Sequence, residues 1–348
     1  MSHQPFRIAM RIAIDAMGGD YAPLEIVKGA VEAAEKDGVE GVLVGDQDQI
    51  KQELAKYPSA RIQIKHASEV VQMDEHPANA IRRKPDSSIV VAAGMVVSGE
   101  ADAIVSAGNT GAAMAVATLK FGRIPGIARP AIAALVPTSK GKAVLLDGGA
   151  NVDCSVDNLM QFAVMGREYA ERVLKLSNPR VGLLSIGEEP SKGNELTKAC
   201  HAQLTKSDLH FIGNVDGKDV FRGAADVIIC DGFAGNLVLK IAEGMAEFLL
   251  ANLKEEINKS VIYKAGVLML SPALKRARNH LDYAEYGGAP LLGVNGVCII
   301  SHGRSNARAI RNAIKAAAIA VENNVVKFIS TTVQQDEFAI LNRDPSAK

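Results

Sequence analysis

Four glycine-rich turns, each closing a short apolar run and each carrying Asp or Asn, hold the residue types in this sequence best suited to chemistry. They are Asp15-Ala-Met-Gly18-Gly19-Asp20, Ser106-Ala-Gly108-Asn109-Thr110-Gly111, Asp147-Gly-Gly-Ala-Asn151 and Asp231-Gly-Phe-Ala-Gly235-Asn236. In a parallel α/β sheet such turns fall at the carboxyl ends of strands, where helix N-termini present backbone N–H groups to an anion. The pattern therefore predicts a single anion-binding site. His302 stands at the end of an apolar run and opens a helical pattern, so it reads either as an electrophile or as a residue of the cap region. The run Arg82-Arg83-Lys84 lies in a polar, turn-rich segment from 73 to 88, which reads as a solvated loop or as a basic phosphate clamp.

The elements needed to position these turns follow from periodicity. The first strand starts near residue 10, and residues 1 to 9 read as a loosely attached, disordered leader. Pro23 suits a helix start, Leu24, Val27, Val31 and Ala34 follow at helical spacing, and Gly38 suits a stop. Strands over 42–45 and 61–65, joined by a helix over 47–56, continue a strand–helix alternation. Further helices are expected over 88–98, 111–121, 156–174, 194–206, 236–259 and 306–322, with strands over 103–106, 143–146, 180–186, 209–212, 226–230 and 296–301. The fold class is α/β with a mainly parallel sheet. One large domain over 10–330, or two intimately packed lobes, is expected, with a helical excursion around 245–283 and a polar tail over 331–348.

Between 261 and 275 the side chains become larger and the flanks basic, and Pro272 is expected to break any helix. Two short amphipathic helices forming a hairpin fit this stretch, with Val261, Val267, Leu268, Leu270 and Leu274 on its apolar face. Such a face serves a dimer interface, core packing or a bilayer surface.

Composition narrows the classes. The chain has 348 residues, 48% of them hydrophobic, enough to bury a large core. Lys and Arg balance Asp and Glu at 39 each, so no net field draws it to nucleic acid or anionic lipid. Aromatic residues make up 4% and Trp is absent, which disfavours stacking on unpaired bases and hence a nucleic-acid partner. The cysteines 154, 200, 230 and 298 lack CxxC or Cys/His spacing, so reduced thiols are expected and no metal. Neither a signal-peptide core nor an uninterrupted apolar run of about 18 residues is seen, which predicts a cytoplasmic protein that is neither secreted nor membrane-spanning.

The four turns, together with Gly187-Glu-Glu-Pro-Ser-Lys192-Gly193-Asn194, Tyr286-Gly-Gly-Ala289 and Ser301-His302-Gly-Arg304-Ser305, resemble the bacterial phosphate acyltransferase family of phospholipid synthesis, the acyl-acyl-carrier-protein:phosphate transacylases. The likeness runs from about residue 11 to residue 326, with the motifs in the family's order. It implies a three-layer α/β/α fold related to phosphotransacetylases and isopropylmalate-type dehydrogenases, and a homodimer. It also implies reversible transfer of a long acyl chain from acyl carrier protein to inorganic phosphate, with no cofactor. Peripheral membrane attachment through the apolar hairpin and handover of acyl phosphate to a membrane-bound glycerol-3-phosphate acyltransferase are implied as well.

That reaction asks little of acids and bases. Phosphate near neutrality is largely a dianion, with a second pKa of about 6 to 7, and the leaving thiol has a pKa of about 8.5. What remains is to hold two anions together and stabilise an oxyanion, a task for amides, Lys and Asn. Lys192 then reads as the phosphate or oxyanion cation, or as a solvated loop lysine; Asn236 reads as a donor to phosphate or thioester, or as a plain N-cap. Asn109, Thr110, Asn151 and Asn194 are candidates to complete the donor ring, with Gly18, Gly19, Gly108, Gly111, Gly193 and Gly235 supplying backbone amides. Asp15, Asp20, Asp147 and Asp231 fit strand-end caps that orient donors, since carboxylates repel phosphate. A covalent route through Cys154 is less favoured, no His being near it in sequence.

P-loop and dinucleotide fingerprints are missing. The rival readings are a coenzyme-A-dependent phosphotransacylase for short acyl groups, for which the apolar hairpin is unnecessary, and a non-enzymatic membrane-associated scaffold, which leaves the turns without purpose.

Overall fold

The computed structural model describes residues 10–281 and 287–341. The expected leader over 1–9, Tyr286 of the Tyr-Gly-Gly-Ala motif and the last seven residues of the expected tail lie outside the described residues. The chain divides into two compact units: Met1–Ala133 with Glu168–Ser177 and Tyr286–Lys348, and Ala134–Arg167 with Asn178–Glu285.

In the first unit, β1 (Arg11–Asp15), β2 (Glu40–Gly45), β3 (Gln63–His66), β4 (Ala103–Ser106), the start of β5 (Ala131–Thr138), β10 (Ala289–Leu292) and β11 (Val297–Ile300) run in the order β3-β2-β1-β4-β11-β10-β5. All neighbours are parallel except β10, which is antiparallel to both β11 and β5. Helices α1 (Leu24–Asp37) and α10 (Ala307–Glu322) pack Val27, Val31, Ile310 and Ile314 onto Ile12, Ile14 and Val105. The alternate strand residues Ala13 and Ile104 are equally buried, as expected of a parallel sheet covered on both faces. Helices α4 (Ser88–Ser98) and α5 (Thr110–Phe121) pack on each other, and α4 also on β1. Gly38 ends α1 in the left-handed region at φ 68°, as its place in the sequence suggests.

In the second unit, β6 (Gly141–Leu146), β9 (Val227–Ile229), β7 (Val181–Ser185) and β8 (Phe211–Asp216) lie side by side in that order, all parallel. Val136, Leu145, Val215 and Ile228 build its core, and α6 (Val156–Arg172) approaches so closely that a Cβ on Gly166 would lie 2.5 Å from Val227. Helix α7 (Glu195–Leu204) follows β7, and the long α8 (Gly232–Asn258) follows β9.

Three expectations fail. The segment around 73–88 is not all loop, because Pro77–Arg83 forms α3 with Pro77 at its first turn. The 289–292 stretch is strand β10 rather than part of a turn-rich element. Pro272 does not break the 261–275 stretch into two short helices: one helix, α9 (Val261–Leu281), runs through it, since a single lost N–H bond is tolerated in a long helix. The hairpin partner of α9 is α8, joined to it at Lys259 and Ser260. The polar tail expected from 331 is helical as far as Leu341, within α11 (Val325–Leu341).

Candidate functional site

In the first unit, the turns after β1, β4 and β11 converge, because those strands are parallel neighbours. Asp15 ends β1, buried; the Ser106 hydroxyl donates to its Oδ2 at 2.7 Å and accepts from the Gly108 N–H at 3.1 Å. Burial holds the Asp15 carboxyl above the usual carboxylate range, against the opposing effect of its hydroxyl partners. The turns meet backbone to backbone: a Cβ on Gly18 would lie 2.5 Å from Asp15 Oδ2 and 2.8 Å from the Gly108 nitrogen. Gly19, at φ 109°, lies against the carbonyls of Ala107 and Gly303, and the Asp20 N–H donates to Gly303 at 2.8 Å.

Asn109 caps α5 by accepting from the Ala112 N–H, and its Nδ2 donates to the carbonyls of Gln72, Met73 and Glu75. Its amide thus fastens the 72–75 loop instead of standing open as a donor. Thr110 is the first residue of α5, and Gly111 lies under Pro77. His302 is exposed, and its Nδ1 accepts from the Arg304 N–H at 3.1 Å. That bond makes Nδ1 an acceptor, so the neutral tautomer carries its proton on Nε2.

In the second unit, the turns after β6, β9 and β7 follow adjacent parallel strands. Asp147 is fully buried and organises the first: its Oδ1 accepts from Gly149 and Ala150 N–H, and its Oδ2 from the Asn151 N–H and Nδ2, at 2.7 to 3.0 Å. Asn151 is therefore locked into the turn, and the role of Asp147 as an orienting carboxylate matches its expected one. This turn is seated on the start of α8. Gly232 lies against the Asn151 backbone, and a Cβ on Gly235 would fall 1.9 Å from the Asp147 carbonyl oxygen. Asp231 is the N-cap of α8, accepting from Ala234 N–H at 2.7 Å. Asn236 therefore sits one turn inside the helix, exposed, with its side chain beside Gly149; the plain N-cap reading for it does not hold.

The 186–194 loop carries Lys192, exposed, whose stem lies over Gly187: a Cβ there would meet Lys192 Cγ at 3.0 Å. Gly193 takes φ 105°, and a side chain there would strike Thr197 Oγ1. Asn194 is the N-cap of α7, accepting from the Thr197 N–H at 2.9 Å. Sequence reasoning missed Asn214 on β8, whose Nδ2 donates to the Glu189 carbonyl at 2.8 Å. The only signal for it is a polar residue beside apolar Val215 in a strand pattern that runs past residue 212.

Among the described residues no group of three His, Cys, Asp or Glu side chains is placed to hold a metal ion. Burial pushes the Cys200 and Cys298 thiols up to about 12 and raises Cys230 as well, while Cys154 is half-buried. Replacing Cys154 with Ser is expected to leave turnover within about threefold of the parent, since the direct phosphate attack expected from the sequence needs no thiolate from the protein. A loss of several hundredfold in the same assay would restore the covalent route.

Solved structures share the fold. A phosphotransacetylase from Streptococcus pyogenes superposes with a TM-score of 0.61 at 19% identity, covering 90% of this chain and 94% of its own. A branched-chain phosphotransacylase from Enterococcus faecalis gives 0.56 at 15%, covering 90% and 99%. Sequence relatives lie much nearer. A phosphate acyltransferase from Pelotomaculum thermopropionicum is 55% identical over 329 residues, covering 94% of this chain and 96% of its own length. One from Desulfitobacterium hafniense is 55% identical over 322 residues, covering 92% and 96%. With the family pattern described as "Fatty acid synthesis protein" matching residues 10–328, the chain belongs to that family.

Proposed function

We propose that this protein is a phosphate acyltransferase that moves a long fatty acyl group, reversibly, from acyl carrier protein to inorganic phosphate. The observation that carries this reading is the 55% identity to phosphate acyltransferases along more than nine-tenths of both chains. In the forward step a phosphate oxygen attacks the thioester carbonyl carbon, the acyl–sulfur bond breaks, and the carrier thiolate leaves with the electron pair. Lys192 supplies the cation for phosphate or the oxyanion and Asn236 an amide donor, and His302 is kept as the candidate electrophile of the first unit. By taking up the N–H groups of Gly149, Ala150 and Ala234, Asp147 and Asp231 hold rigid the turn and helix start beside Asn236, so its amide needs little reorganisation during reaction.

The test is release of carrier thiol from long-chain acyl carrier protein with and without inorganic phosphate, with acetyl-coenzyme A in parallel. Phosphate-dependent release from the carrier substrate, with acyl phosphate as product, is the expected result. Release from acetyl-coenzyme A alone would favour the short-chain phosphotransacylase, and no release from either would return the protein to a scaffold.

The same reading makes the protein a homodimer that attaches peripherally to a membrane and hands its product to a membrane glycerol-3-phosphate acyltransferase. No helix among the described residues is long and apolar enough to cross a membrane. Support for a surface attachment comes from α9, where Leu268 and Met269 are 77% and 85% exposed and Leu270 is also exposed, while Val267 is half-buried. The side chains of Val261 and Leu274 lie outside the described ones. Asp substitutions at Leu268 and Leu270 are expected to abolish sedimentation with anionic lipid vesicles and to change turnover in solution less than threefold, a burial difference of about 1.5 to 3 kcal/mol per leucine being at stake. Unchanged sedimentation would assign the segment to the dimer.

A further inference from the structure

We propose that Asn214 is a positioning residue that sets the phosphate-binding geometry of Lys192; the inference rests on Lys192 being the phosphate cation. Asn214 lies on β8, at the edge of the second unit's sheet, in register with Leu183 of β7. It is 8% exposed, and its Nδ2 crosses from the strand to donate to the Glu189 carbonyl at 2.8 Å. That carbonyl also accepts the Lys192 backbone N–H at 3.0 Å, so both its lone pairs are engaged. One accepts from the core, the other from the residue that carries the ammonium.

The rest of the loop gives the bond its importance. Gly187 is buried, but Ile186, Glu188, Glu189, Pro190, Ser191 and Lys192 are all exposed, so no buried side chain fixes the turn. Its far end is anchored at Gly193 and by the Asn194 cap of α7. Its near end has Asn214 as its side-chain tie to the sheet. A side chain kept for core packing alone would be apolar here, because the amide is buried and its Oδ1 has no partner among the described residues. The amide is thus poorly suited to stability but well suited to holding one carbonyl in place. A cation displaced by an ångström loses most of its preference for the bound geometry.

The experiment compares the full-length protein with Asn214→Leu, Asn214→Ala, Lys192→Ala and the Asn214→Leu/Lys192→Ala double variant. Two quantities are read in each: the thermal midpoint without ligand, and its upward shift on titrating inorganic phosphate, which reports phosphate affinity. Asn214→Leu is expected to keep the ligand-free midpoint, since it removes an unpaired buried oxygen, yet to weaken phosphate by about tenfold or more. Lys192→Ala is expected to lose the phosphate shift, and the double variant to be no worse than Lys192→Ala. Asn214→Ala serves as the second probe should the leucine overfill the site. A full phosphate shift in both Asn214 variants, or a further loss in the double variant, overturns the positioning role while Lys192 stands. A full shift in Lys192→Ala overturns the underlying assignment of Lys192 instead.

Discussion

Lys192→Ala is expected to lower kcat/KM for phosphate by about 100- to 1,000-fold, the usual effect of removing one preorganised stabiliser of a developing oxyanion. The side chain is exposed and rests on Gly187, so the variant is expected to fold normally. Lys192→Arg keeps the charge but presents a flat fork where a compact ammonium sits, and is expected to recover only part of the loss. The measurement is steady-state thiol release at varied phosphate, alongside the thermal midpoint. Turnover within threefold of the parent in Lys192→Ala would make this a solvated loop lysine, the other reading its sequence context allows.

The second large effect concerns stability and activity together. Asp147→Ala removes the acceptor of four N–H groups at a fully buried position. Unsatisfied buried donors cost about 1 to 3 kcal/mol each, and partial relaxation of the turn leaves a net loss of about 3 to 5 kcal/mol. Asp147→Asn keeps the shape but turns an NH₂ toward two of the four donors, so it is expected to fall between parent and alanine. Because the turn is seated on Gly232 and Gly235 of α8, its loss also displaces the start of the helix that carries Asn236. Turnover should therefore fall more steeply than the remaining folded fraction explains. Unchanged midpoints in both variants would show that the four bonds do not hold the turn.

Much of this was readable from residues alone, where local pattern and tertiary demand agree. The small-residue run over 88–98 and the apolar run over 103–106 form α4 and β4 at the expected bounds; β4 is buried throughout, and α4 buries all but its last turn wholly or in part. The failures have physical causes. Pro290 cannot donate to a ladder, which conceals β10, yet its neighbours Leu291 and Leu292 pair with β5. Pro77 looks like a loop residue but opens the first turn of α3, where N–H groups have no intrahelical partner to lose. Within the site, residue type revealed the turns but not where each amide points. Asn109 and Asn151 have the same chemistry as Asn236, and long-range partners engage the first while a local carboxylate engages the second. Asn214 was invisible for the same reason, since its partner is 25 residues away in sequence.

The apolar surface of α8 has one more consequence. Phe233, Leu237, Ile241, Met245, Leu249 and Leu253 are all substantially exposed and recur every fourth residue. At about 100° per residue each step of four overshoots a full turn by about 40°, so the row winds through roughly 200° between Phe233 and Leu253. The two ends of this helix therefore look in nearly opposite directions. A flat partner seated on Leu253, near the turn into α9, therefore leaves Phe233, beside the Asp231 cap, uncovered; only a surface that curves around the helix reaches both.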